Sequence, residues 1–391
     1  MNLAGPLYLG WNHLWQHRWR SLLITLTVTL GLSLPAGIWL GVDLAETHLR
    51  DRAQSTPLLL GSNGSPLELV FNGLYFSEPG IERMKLRDAK EASPDGLASS
   101  IAIYARYQAQ GHPVVGTTID YFEFRDLRLA EGHAFTRLGD CVIGSSVATE
   151  FGLAPGDSLV TTPERVFDLT GVYPLKMRIT GTLAHTGTPD DRAIFTDLKT
   201  TWTIEGLAHG HHDARQLDGV VLKQDDNNTA INASIVEYNE VTNENIHSFH
   251  FHGDMHDFPI TSAIIVPNST KSQTILMGRY VGETRTLQLI RPDKHMANLF
   301  DTVFRVRMWV AVMLAAVALS SFLIVTMVLL LSNRLRTSEF MSLRVIGASP
   351  GVIRFLVLFE AGSILAGSIA LTLIILVTFS LLTPSILAWI A

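Results

Sequence analysis

One cysteine, Cys141, stands in a chain of 391 residues. It excludes an intramolecular disulfide, so any folded region is held by packing alone, and it leaves the redox compartment open. A buried structural thiol is its expected role. No G-x-x-x-x-G-K-[ST] loop, the backbone cradle that holds nucleotide phosphates, occurs anywhere. Any ATP hydrolysis must therefore come from another polypeptide. The net charge is -6 and no basic face is apparent, which excludes nucleic acid as an expected partner. Low-complexity tracts are missing too, so the polar part of the chain should fold. Apolar residues are plentiful, at 47% of the composition. That suits a few membrane spans beside one folded domain, and falls short of a many-span carrier.

Ser21 to Val42 runs without a charge, about the length that a hydrocarbon core of roughly 30 Å requires. A cleaved signal peptide fits less well, because the polar lead is long, the apolar run is long and no A-x-A site follows. Arg18 and Arg20 precede the run and Asp43 and Glu46 follow it, which places the N-terminus in the cytoplasm. A second charge-free run, Trp309 to Ser332, lies between Arg305 and Arg307 on one side and Arg334 and Arg336 on the other. A third apolar stretch, Phe355 to Leu382, carries one acid, Glu360, near its cytoplasmic end, and Gly362 and Gly367, small residues that suit close helix packing. Pro384 is expected to interrupt it. Glu360 reads either as a partly solvated residue at a helix entrance or as a functional group. Trp11, Trp15 and Trp19, with His13 and His17, form an interfacial anchor before the first span.

The resulting division is a cytoplasmic segment 1–20, a first span 21–45 and an extracytoplasmic domain 46–305. A second span 306–333, a cytoplasmic loop 334–354, a third span 355–382 and an outer end 383–391 follow. Within the domain, strand patterns recur at Pro66 to Phe71, Ser100 to Tyr107, Cys141 to Gly144, Met177 to Leu183, Val220 to Leu222 and Thr261 to Val266. Helical patterns fall at Ser145 to Phe151 and Ser269 to Gly282, and Asp293 to Arg307 reads as a helix entering the second span. Thr286 to Ile290 completes a strand-helix-strand unit with Thr261 to Val266. A mixed α+β domain is the simplest assignment. Asp190 and Asp191 are adjacent in a Pro-Asp turn, so they point apart and form no acid/base pair.

Three stretches resemble the FtsX/MacB-type permeases, the membrane subunits of mechanotransmitting ABC transporters that include the lipoprotein-releasing LolC/LolE proteins. Asn333 to Glu360 resembles the family's cytoplasmic coupling segment, through Glu339, Leu343, Arg344, Gly347, Ala348, Ser349 and Glu360. VVGTTIDYFEF, LAEGHAF, CVIGSSVATEFGLAPGDSL and MRITGTL, between Val114 and Leu183, are similar in order and spacing to the extracytoplasmic core domain. The third stretch is the layout: one span, a large outer domain, then a cluster of spans.

The resemblance implies an α-helical membrane protein with a large extracytoplasmic α+β domain of the MacB-like periplasmic core kind. It further implies a non-catalytic permease subunit of the bacterial inner membrane, with those seven residues coupling it to a cytoplasmic ABC ATPase. A second permease copy or paralogue and a periplasmic adaptor are the other implied partners, and no cofactor is implied. The family normally carries a fourth span after a short outer loop, so a truncated chain or a degenerate member is expected here. Lipoproteins, other lipids, peptides, drugs and metal-linked cargo are all open as substrates. A membrane-anchored regulator without transport, like the family's cell-division member, is an alternative. From charge alone, Arg334, Arg336, Arg344 and Arg354 against Glu339 suit an acidic partner groove or lipid headgroups.

Half of the fourteen histidines fall in two short segments, LAHGHHD with His209, His211 and His212, and HSFHFHGDMHD with His247, His250, His252 and His256. In an extended strand His250 and His252 share one face and Phe249 and Phe251 the other, with Asp254 and His256 within reach if Gly253 turns. Such a set suits Zn²⁺ or a similar ion, with Asp213, Asp254 or Asp257 as ligand or supporting partner. The spacing matches no standard zinc motif. A polar or hydrogen-bonded surface patch, a pH-responsive cluster, and a periplasmic metal-binding domain on a membrane anchor are the other readings.

Overall fold

The structure, a computed structural model, describes residues 4–77, 80–94, 96–162, 174–210, 221–225, 228–231, 239–281 and 286–390. Its helices are α1 (Ala4–Gln16), α2 (Arg18–Gln54), α3 (Pro66–Tyr75), α4 (Leu86–Ala92), α5 (Ile119–Phe124), α6 (Ser145–Phe151), α7 (Leu198–Ile204), α8 (Thr270–Arg279), α9 (Pro292–Leu335), α10 (Thr337–Val345) and α11 (Pro350–Ile390). The chain divides into two compact units, Met1–Thr47 with Leu299–Leu387, and His48–Asn298 with Ala388–Ala391. The unit boundaries at Thr47 and Leu299 fall inside α2 and α9.

The first unit is helical. Three stretches are long and apolar enough to cross a membrane: Arg18–Gly41, Met308–Val328 and Pro350–Leu382. Leu23, Met313, Val317, Leu323, Ile374 and many similar side chains are exposed along them. Water would penalise that surface, whereas hydrocarbon accepts it. Helix contacts use the small polar residues favoured in lipid: Ser368 Oγ donates to the Thr25 carbonyl at 3.2 Å, and Gly367 lies against Thr25. Gly362 faces open space, so only one of the two glycines serves packing. α11 continues past Pro384 to Ile390, contrary to the expected interruption. An apolar cavity of about 560 Å³ lies among Gly31, Pro35, Trp39, Ala311, Ala315 and Leu376.

The second unit is α+β. Its strands are β1 (Leu58–Ser62), β2 (Met84–Lys85), β3 (Ala98–Ala109), β4 (His112–Thr117), β5 (Leu129–Gly132), β6 (Asp140–Ile143), β7 (Ser158–Val160), β8 (Leu175–Leu183) and β9 (Ile194–Asp197). They continue as β10 (Ala208–Gly210), β11 (Val221–Asp225), β12 (Asn228–Ile231), β13 (Asn239–Glu240), β14 (Phe249–Phe251), β15 (Pro259–Ile260), β16 (Ser262–Pro267) and β17 (Leu287–Ile290). The main sheet runs β13-β8-β6-β9-β4-β3-β16-β1-β17, with β5 and β7 also on β8. β16, α8 and β17 form the expected strand-helix-strand unit, but β1 lies between the two strands and pairs antiparallel with both. Its Leu58, Leu59 and Leu60 are fully buried, as a strand covered on both faces requires. Tyr104, Cys141, Ile143, Met177, Trp202, Ile260 and Ile265 join the same core.

One sequence expectation fails here. Pro66 to Phe71 is not a strand but the start of α3. Ser65 caps that helix by accepting from the Glu68 N–H at 3.3 Å, and Pro66 occupies its first turn, where no N–H is needed. α6 starts as expected, although its N-cap is Gly144 rather than Ser145. α8 is capped by Ser269, whose Oγ accepts from the Ser272 N–H at 3.1 Å. It ends before Tyr280, while Gly282 lies outside the described residues.

Candidate functional site

The segment between the second and third spans folds as α10 and a tight stop. Gly347 adopts φ 101°, a conformation that costs a side chain, so the chain can reverse there without strain. Its N–H donates to the Arg344 carbonyl at 3.0 Å and the Ala348 N–H to the Leu343 carbonyl at 2.9 Å. This double bond pattern is a Schellman stop, and it satisfies carbonyls that the helix end would leave open. Ser349 then accepts from the Val352 N–H at 3.0 Å through its carbonyl, and Pro350 opens α11. Leu343, Arg344, Gly347, Ala348 and Ser349 are thus one piece of backbone geometry. Met341, Val345 and Ile346 of the same segment are 68%, 86% and 83% exposed, an apolar surface out of place on a helix facing only water.

Glu339 and Glu360 meet through Arg336. Arg336 donates from Nε to Glu339 at 3.0 Å and from Nη1 to Glu360 at 2.9 Å, and its guanidinium lies over the Phe340 ring. Arg20 also binds Glu360, and His13 Nε2 lies 3.7 Å from it. Glu360 is 5% exposed, so it is a buried hub and not a solvated residue at a helix entrance. Four segments of the first unit converge on one carboxylate: α1, α2, the start of α10 and α11. Burial, and then the charge of Arg336, hold His13 below the usual imidazole range, outweighing the opposite pull of Glu360. Arg20, Arg336 and His13 were legible only as isolated charges in sequence, because nothing local links residues 13, 20, 336 and 360.

The second unit has a hub of opposite design. Arg52, 7% exposed, donates to the Leu74 carbonyl, to Asp190 Oδ2 at 2.6 Å and Oδ1 at 2.9 Å, and to the Tyr121 hydroxyl at 2.8 Å. Tyr121 in turn donates to Asp190 Oδ1 at 2.8 Å, and Thr188 donates to Oδ2 at 2.9 Å. Burial pushes the Asp190 carboxyl up, but Arg52 and these hydrogen bonds pull it further down, to below its ordinary value. Burial likewise lowers Arg52, and Asp190 more than reverses it. Asp191 points elsewhere, as expected of adjacent acids, and accepts from the Thr186 and Gly187 N–H groups.

His185 Nδ1 lies 2.9 Å from Asp191 Oδ2 and 3.3 Å from Ser145 Oγ. A nucleophile relay needs serine and acid on opposite ring nitrogens, whereas both reach the same one here. The trio therefore tethers α6 and has no geometry for acyl transfer.

The histidine segment forms one strand of a separate two-stranded sheet. β14 pairs antiparallel with β10, and His250 stands opposite His209 in the register. His250 and His252 are adjacent, with ring centres 4.7 Å apart and planes at 74°, while Phe251 packs against Trp202 and Phe258. Gly253 makes the turn at φ 103°. Asp254 caps the next turn by accepting from the His256 N–H at 2.9 Å, and Asp257 pairs with Lys85 and Arg87. Among the described residues no three potential ligands already surround one point; His211, His212 and Asp213 lie outside those residues.

A sheet domain inserted in the chain between helices long and apolar enough to cross a membrane is the layout of a membrane protein with a large extramembrane domain. The family model of the MacB-like periplasmic core domain matches residues 21–238, more than half of the chain. The chain belongs to this family, the MacB/FtsX-type ABC transporter permeases. Among solved structures it is similar to the periplasmic region of MacB from Actinobacillus actinomycetemcomitans, at 10% identity and a TM-score of 0.37, covering 64% of this chain and 97% of that one. It is also similar to the extracellular domain of the noncanonic ABC-type transporter YknZ from Gram-positive bacteria, at 12% identity, a TM-score of 0.33, and 60% and 98% coverage. A domain of a putative permease protein from Porphyromonas gingivalis gives 10% identity, a TM-score of 0.27, and 61% and 88% coverage. No curated protein matches the chain.

Proposed function

We infer that the chain is the membrane subunit of a mechanotransmitting ABC transporter of the bacterial inner membrane, driven by a separate cytoplasmic ATPase that docks on α10. The observation that carries this reading is the exposed Met341, Val345 and Ile346 surface on a helix whose ends are fixed. One end is held by the Glu339–Arg336–Glu360 contacts and the other by the Gly347 stop. An apolar surface on a positioned helix suits insertion into a partner groove. The surrounding arginines suit an acidic rim on that partner. The unit boundaries at Thr47 and Leu299 lie inside helices, which favours mechanical over chemical output. In this reading a second permease copy or paralogue completes the assembly, and a periplasmic adaptor can join it. Export, lipoprotein release or lipid release is the work done.

Co-purification of the chain with its ATPase, and stimulation of ATP hydrolysis by the complex, tests the reading. Gly347→Val should abolish both by removing the stop, and Ile346→Asp should weaken both at least tenfold without touching the stop. An intact, fully stimulated complex with both variants would overturn the docking assignment.

A further inference from the structure

We propose that a charged cleft on the sheet domain binds a small hydroxylated carboxylate, with the guanidiniums of Arg137 and Arg178 as its anion-binding pair. The site lies within the second unit and is independent of the α10 docking reading.

Strand register assembles the cleft. In the main sheet Arg178 of β8 stands opposite Asp140 of β6 and opposite Ser158 of β7, while Lys176 of β8 stands opposite Glu240 of β13. Residues opposite each other across a ladder share a face, and so do residues two apart along one strand. These five side chains therefore lie together on one face around β8. Met177 and Ile179, which alternate with them, are buried in the core behind. The turn after β13 supplies Thr242 and Asn243, and Arg137 precedes β6. All of them line one cavity of about 340 Å³, within the range of small-molecule sites.

The charges along this cleft do not balance. Asp140 is 2% exposed and both of its oxygens are taken. Oδ1 accepts from Arg178 Nε at 3.2 Å and Nη2 at 2.7 Å, and Oδ2 accepts from the Arg137 N–H at 3.0 Å and the Thr136 N–H at 3.3 Å. Glu240 pairs with Lys176 at 3.1 Å. Each acid thus has its cation, and Arg137 is left over. Its Nη1 donates to the neutral Asn243 Oδ1 at 2.5 Å, and among the described residues it makes no ion pair. Arg178, half-exposed in its side chain, is held in place by buried Asp140 while its Nη1 has no partner among the described residues. A guanidinium edge matches a planar oxyanion, and the single surplus positive charge is neutralised by one carboxylate, whereas a phosphate dianion would overshoot it. The exposed Ser158 hydroxyl, also without a partner among the described residues, suits a hydroxyl on the rest of the ligand.

The test is calorimetric titration of the full chain in detergent with D-galacturonate, with neutral D-galactose and inorganic phosphate as the comparison arms. Wild type should bind galacturonate saturably at millimolar or tighter affinity and should not bind galactose. Arg137→Gln, an exposed change that leaves the Asp140 pair intact, should weaken galacturonate at least tenfold with an unchanged near-ultraviolet circular dichroism spectrum. Arg178→Lys keeps a cation beside Asp140 but loses the planar fork, and it should weaken binding as well. Absent galacturonate binding in wild type, equal binding of galactose, or unchanged affinity in folded Arg137→Gln would overturn the site. Tighter binding of phosphate than of galacturonate would overturn the carboxylate assignment.

Discussion

The two units each bury an ion-pair hub, and the hubs differ in how many charged groups share the carboxylate. In the sheet domain one arginine meets one aspartate, and a carbonyl, a tyrosine and a threonine take up the remaining bonds. In the helical unit one carboxylate, Glu360, holds two guanidiniums and a histidine. The first arrangement is closed, with both charged side chains buried. The second extends through Arg336 to Glu339, whose side chain is 56% exposed, so its outer end lies at the surface. A closed hub suits a part that must not move. A hub whose outer pair is exposed can exchange partners there, which suits a part that responds to another protein.

The difference can be broken experimentally. Asp190→Ala leaves Arg52 buried without its anion and should cost about 3–5 kcal/mol, read as loss of thermal stability of the full chain in detergent. The same contact gives a pH signature in the wild type. Because the folded carboxyl lies below its ordinary value of about 3.9, its stabilisation is complete above that value and is lost as pH falls into the acid range through the folded one. Equal stability of Asp190→Ala and wild type at pH 7 would mean that the lock is idle. Glu360→Gln should cost less, about 1–3 kcal/mol, since Arg20 and Arg336 keep partial access to solvent. Its clearest effect should be faster tryptic cleavage after Arg336 and Arg344, and an unchanged digestion rate would contradict the hub. Ser65→Ala, remote from both hubs, should cost about 1 kcal/mol through the lost cap of α3. A loss as large as that of Asp190→Ala would mean that the sheet domain is not governed by its buried pair.

What sequence could and could not reveal follows the range of the interaction. Charge-free runs and flanking arginines announce spans because each signal is local. The strands Ser100 to Tyr107 and Met177 to Leu183 were readable for the same reason. α3 was misread because Pro66 to Phe71 has an apolar rhythm that fits a short strand, while the deciding signal, Ser65 with Pro66 and Glu68, lies at its edge. β1 was missed because three consecutive leucines show no alternation when both faces are buried. At the candidate site, the resemblance supplied Glu339, Gly347 to Ser349 and Glu360. Arg52 with Asp190, and Arg20 with Glu360, are separated by most of a domain in sequence, and no spacing rule links them.

Cys141 has a practical consequence. Its thiol is fully buried in β6, and that burial, reinforced by Asp140, pushes its ionisation well above the usual thiol range. A thiol that neither ionises nor meets reagent stays silent to maleimide chemistry in the folded protein. The native chain therefore serves as its own cysteine-free background. A single reporter thiol placed at Ile346, Ser349 or His252 would label alone, and the distance between two such reporters could follow the molecule through a transport cycle.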